Sequence, residues 1–197
     1  MTQVADVAEM LYGVMAEAWV ERGEVAPHVV AHGPFRVAMG LPSGECSDPV
    51  LWAGTAALGL GAVVGASVVG MGSEAWIKAY ERGEAPEDLR RGELAALESQ
   101  GDATIATTLT VVAADRLGAA AWLLGRCHQD DRGVRSVHRQ HSDSSPSGRM
   151  IDHMRHAAAQ LVRAPAPLLE PDLVEGAFTL ACLATGTSGV LLAPERR

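Results

Sequence analysis

Between Pro49 and Ser73 the chain carries no charged residue. Within that span, Val63–Met71 is a run of small and β-branched residues with apolar side chains at both odd and even positions. A strand that is apolar on both pleat faces is central and covered on both sides. β-Branched residues suit the pleat because one χ1 rotamer is already preferred there. The reading is therefore a central strand, preceded by a short helix from Pro49 to about Leu58 and a glycine-rich turn at Gly59-Leu60-Gly61. Asp48 would cap that helix and Pro49 would open it. Charge returns at Glu74, Lys78 and Glu81, interleaved with Trp76, Ile77 and Tyr80, so the strand is expected to run out to the surface.

A transmembrane helix is the rival for the same charge-free stretch, which is long enough to span a bilayer and holds a Gly61-x-x-x-Gly65 spacing. Its many glycines are poor for a helix. No Lys or Arg cluster flanks it, and Glu45 and Asp48 precede it. No membrane association is expected.

The elements before it are regular. Val4, Val7, Ala8, Leu11, Val14, Met15 and Ala18 recur at helical spacing, which predicts an amphipathic helix over Thr2–Glu21, with Thr2 as N-cap and Gly23 at the C-terminal end. His28–Ala31 and Phe35–Leu41 predict a hairpin in which Phe35, Val37, Met39 and Leu41 alternate with Arg36, Ala38 and Gly40.

Beyond the central strand, Leu94–Ser99, Thr104–Ala114 and Ala119–Cys127 read as three further strands joined by short turns, which implies antiparallel pairing. Residues 1–127 thus predict an α+β domain, an antiparallel sheet with two packed helices. Residues 128–148 are polar, rich in Ser, Asp, Arg and His, and read as a mobile linker. Residues 149–197 read as a helical C-terminal segment. One helix runs over Arg149–Arg163, with Met150, Met154, Ala157, Ala158 and Leu161 on one side. A second runs from Pro171 to about Ala184, ahead of a short apolar tail.

Composition restricts the function classes. A hydrophobic fraction of 48% is enough for a core, but aromatics are only 4%, so that core is built from Ala, Val, Leu and Met. The net charge of −8 argues against nucleic acid as a partner, which needs a basic face. Three dispersed cysteines, Cys46, Cys127 and Cys182, form no disulfide or zinc framework and fit a reduced, cytoplasmic protein. Asp6 and Glu9 stand where a secretion signal would carry basic and then apolar residues.

At Ser73-Glu74-Ala75-Trp76 the chain resembles a loose group of small uncharacterised bacterial and phage proteins. In that group an apolar strand runs into Ser-Glu-Ala-Trp-Met and a Pro-rich acidic turn follows. The matching residues here are Ser73 to Trp76, Pro86-Glu87-Asp88, Arg90 or Arg91, and Glu93; Gly23–His28 is also similar. The chain departs at Ile77, where the group has Met, and in the spacing from Asp88 to Glu93. The resemblance implies a fold and carries no activity.

Two constellations could bear chemistry. His128, His138, His141, His153 and His156 crowd one region, with Asp130, Asp131, Asp143 and Asp152 among them. Imidazole and carboxylate are ligands for zinc or manganese, so His138, His141, Asp152, His153 and His156 form a candidate metal set for a metal-dependent hydrolase. The set is only faintly similar to the His-x-His…Ser-x-x-Asp signature of zinc-dependent deubiquitinase-like peptidases. Its histidine spacing differs, and Asp152 lies too far from Ser147. The second constellation is a polar patch of Glu74, Trp76, Asp88, Arg90 and Glu93, where paired carboxylates beside an aromatic suit acid–base work. Such residues more often make salt bridges at a turn. No P-loop and no Gly-x-Ser-x-Gly elbow is present. The expectation is a small acidic protein that binds a protein partner or forms a homo-oligomer rather than catalysing a reaction, the alternative being a metal-dependent hydrolase using the His-rich segment 128–156.

Overall fold

The structure is a computed structural model that describes residues 3–40, 48–78, 105–140, 149–164, 170–185 and 187–192. The fold is α+β. A seven-stranded antiparallel sheet carries helices on both faces. In chain order the elements are α1 (Gln3–Arg22), β1 (His28–His32), β2 (Arg36–Gly40), α2 (Pro49–Val64), β3 (Val68–Lys78), β4 (Ile105–Asp115), β5 (Ala120–Gln129), β6 (Arg135–Gln140), α3 (Arg149–Gln160), α4 (Pro171–Thr185) and β7 (Gly189–Leu192). A 3-10 turn, Leu161–Arg163, extends α3. The strand order is β6-β5-β4-β3-β1-β2-β7, so β3 lies at the middle.

That position accounts for the sequence of β3. Val69 and Met71 face the core beneath α2, α3 and α4, together with Val29, Val37, Val112 and Met154. Val68 faces the opposite core beneath α1, with Val4, Leu11, Met15, Leu109 and Val111. Helix α1 buries Val4, Val7, Ala8, Leu11, Met15 and Trp19. Val14, expected on the buried stripe, is 57% exposed, and Trp19 is the apolar residue that completes the face. Gly23 at φ 80° ends the helix, its N–H donating to the Trp19 carbonyl at 2.7 Å.

The expected turn at Gly59–Gly61 does not exist. Helix α2 continues to Val64 and stops at Gly65, which is left-handed at φ 64°, with the Ala66 N–H on the Gly61 carbonyl at 2.8 Å. Inside the helix, glycine serves close approach. A Cβ at Gly61 would lie 2.9 Å from Leu161 Cδ1, and one at Gly54 would lie 3.5 Å from the His153 Cβ. The helix start is as read. Asp48 Oδ1 accepts the Leu51 N–H at 3.0 Å, and Arg149 forms an ion pair with Asp48 Oδ2. The Leu51 N–H first, and then Arg149, hold the Asp48 carboxyl below the usual carboxylate range.

Residues 128–140, the described part of the polar segment, differ from their reading as a linker. β5 runs on to Gln129, and β6 returns along it with His128 opposite Ser136 and Arg126 opposite His138. The Asp130 side chain builds the turn by accepting the Arg132 and Val134 N–H groups at 2.9 and 2.8 Å. The strand forms because one face of the ribbon docks on α1. Arg139 pairs with Glu9 at 2.7 Å and lies over the Tyr12 ring, while Val137 packs on the α1 core.

The C-terminal elements belong to the same core. α3 buries Ile151, Met154, Ala157 and Ala158 against the sheet and α2, and β7 pairs with β2. More than two helices therefore cover the sheet. Among the described residues, no helix is long and apolar enough to cross a membrane. The predicted strand Leu94–Ser99 and the N-cap Thr2 lie outside the described residues.

Candidate functional site

Among the described residues, those singled out for chemistry lie on three separate elements, β3, β6 and α3. Glu74 sits on β3, half-buried, and its Oε2 accepts the Val25 N–H at 3.1 Å, which ties the α1–β1 connection to the central strand. Trp76 is two residues further along β3. Asp88, Arg90 and Glu93 lie outside the described residues, as do His141 and Cys46. Of the metal set, His138 is exposed on β6, whereas Asp152, His153 and His156 are on α3. His153 packs against Gly54 of α2. Among the described residues, no three His, Cys, Asp or Glu side chains come together as a metal cluster. The histidine brought beside His138 is His128, which the predicted set omitted, with ring centroids 6.5 Å apart. The missing signal was strand pairing, since a two-stranded ribbon joins residues ten apart that a helical or linear spacing does not.

Cys127 is buried on β5, and burial, with a further push from the Glu74 carboxylate, raises its thiol to about 12. A thiol held protonated is neither nucleophile nor metal ligand. Iodoacetamide at neutral pH is expected to leave Cys127 unmodified in the folded protein and to alkylate it in denaturant, as read by peptide mass spectrometry. Rapid labelling of the folded chain at Cys127 would contradict the buried placement.

A cavity of about 280 Å³ lies between α2 and α4, lined by Val37, Gly59, Leu60, Val63, Ala177 and Phe178 among others. Its lining is apolar. It lacks the convergent polar groups that orient a substrate.

The surface that stands out is the β7 end of the sheet. α4 carries two apolar stripes. Val174 and Phe178 point into the core. Leu173, Leu180 and Leu183 follow i, i+7 and i+10 on the outer side, and Leu180 and Leu183 are 68% and 74% exposed. β7 is an end strand with no charged residue, and half the backbone N–H and C=O groups of an end strand point away from the sheet. Leu191 packs inward beside Val37, so Val190 and Leu192 stand on the opposite sheet face, both exposed. Apolar side chains therefore flank the edge on both faces. The other end strand, β6, is different. It carries Arg135 and Arg139, charged residues of the kind that deter strand addition.

Fold and surface together define an antiparallel α+β sheet with helices on both faces, whose β7 edge is unpaired among the described residues. No protein-family model, curated protein or solved structure matches the chain.

Proposed function

We propose that the protein is a non-catalytic assembly module that joins a second copy of itself through the β7–α4 end of its sheet. The observation that carries this reading is the coincidence of an uncharged end strand with the outward stripe Leu173, Leu180 and Leu183 on the adjacent helix. The patch complements itself. β7 set antiparallel against β7 of a second copy satisfies outward backbone groups on both sides and places leucine against leucine across a two-fold axis. A partner of opposite charge has nothing to recognise in the strand itself, so a like surface is the better occupant. The dispersed acid elsewhere keeps the rest of the surface soluble. The sparse cysteines suit a reducing cytoplasm.

Light scattering on the full chain at rising concentration is expected to report a dimer. Leu180→Asp with Leu183→Asp is expected to return it to a monomer with an unchanged circular dichroism spectrum, because both side chains are solvent-exposed on α4. A wild-type monomer across that range, or a dimer indifferent to both aspartates, would remove the assembly reading.

A further inference from the structure

The β5–β6 ribbon presents a second feature, independent of the open edge. Register places His128 opposite Ser136 and Arg126 opposite His138, so these four side chains share one pleat face. It is the face away from α1, because the next residue, Arg139, turns to Glu9 and Tyr12. His128 and His138 are both exposed. Their rings are 6.5 Å apart between centroids and inclined by 49°. The Ser136 hydroxyl is 3.2 Å from His138 Nε2, so that nitrogen is turned toward the position across from His128.

We propose that His128 and His138 are a two-imidazole chelate for a first-row divalent cation of the zinc or copper type. Metal–nitrogen bonds of about 2.0–2.1 Å set at a tetrahedral angle bring two ring centroids to about 5 Å. The exposed side chains close that gap by rotating about χ1 and χ2, with the backbone ribbon unmoved. Imidazole selects zinc, copper and nickel over magnesium or calcium, whose ligands are oxygens. Among the described residues no third His, Cys, Asp or Glu completes the shell, so water takes the remaining positions. The Ser136 hydroxyl yields His138 Nε2 to the metal. Arg126, across from His138, opposes a cation; it is exposed, and its long side chain can swing into solvent.

The test is a zinc titration of the full, untagged chain by calorimetry, with the histidine ring Cε1–H signals followed by NMR. The expected result is saturable binding of one cation per chain, with the His128 and His138 signals moving first. His128→Ala or His138→Ala is expected to weaken binding about a hundredfold, the usual gain from a second tethered site. His153→Ala with His156→Ala is expected to leave it unchanged, and Arg126→Ala to tighten it. Binding that survives His128→Ala, that is lost with the α3 histidines instead, or that never saturates would overturn the assignment. The wild-type NMR shifts decide the matter even if a variant folds poorly.

Discussion

Met154→Ala is expected to destabilise the protein by about 3 kcal/mol, read as a lower urea midpoint at unchanged slope. Met154 is fully buried on α3 and touches the cluster built by β1, β3, β4 and α2. Truncation removes the transfer energy of the side chain and leaves a cavity that close-packed neighbours fill only in part. Such a loss is a large fraction of a typical domain's stability. The same packing forecasts the behaviour of a shorter chain. Ending at Cys127 would remove β6, α3, α4 and β7, leave α2 as the one described helix on that sheet face, and uncover the part of β3 and β4 that α3 covers. That fragment is expected to lack a cooperative unfolding transition. A Met154→Ala loss below about 1 kcal/mol, or a fragment that unfolds cooperatively, would mean that α3 is only an appendage.

Gly70→Val is expected to cost about 3 kcal/mol, at the upper end for overpacking. Gly70 is the third residue of β3, between Val30 of β1 and Ala113 of β4. A Cβ there would lie 2.8 Å from the Val112 carbonyl oxygen and 3.2 Å from Val30 Cγ2. A side chain could rotate away, but the carbonyl belongs to the ladder, so the two central strands would have to part. Gly13→Ala is the contrasting case. Nothing lies within 4 Å of a Cβ at Gly13 on α1, so alanine there is expected to stabilise by about 1 kcal/mol through helix propensity. Thermal unfolding of the two variants should move the midpoint in opposite directions. Equal shifts would show that the glycine positions are not distinguished by packing.

Much of the fold was legible. Helix α1 was marked by Val4, Val7, Ala8, Leu11 and Met15 at helical spacing, the hairpin by the alternation from Phe35 to Met39, and the start of α2 by Asp48-Pro49. The Thr/Val-rich β4 and the helix carrying Met154 were marked in the same way. Each is a local pattern written by whichever face is buried. Misreadings fell where local chemistry is ambiguous. Gly59-Leu60-Gly61 reads locally as a turn, and only the approach of Leu161 and Val69 to Gly61 shows why a helix with glycine there packs instead. Arg135–Gln140 has no apolar run at all, and becomes a strand because β5 offers a ladder and α1 offers Glu9 and Tyr12 to Arg139. The candidate site was less legible still. The apolar tail Val190–Ala193 was visible, but not that its residues up to Leu192 would form an end strand beside the exposed leucines of α4.

On its own, then, the sequence determined the elements that carry their own periodicity, the class of the fold and the two-sided burial of the central strand, because hydrophobic spacing and capping act within a few residues. Only the tertiary structure decided the strand order, the place of the C-terminal helices in the core, and the meeting of His128 with His138. Those depend on pairings between residues far apart in the chain, whose energy comes from ladders and packed faces that no single segment contains.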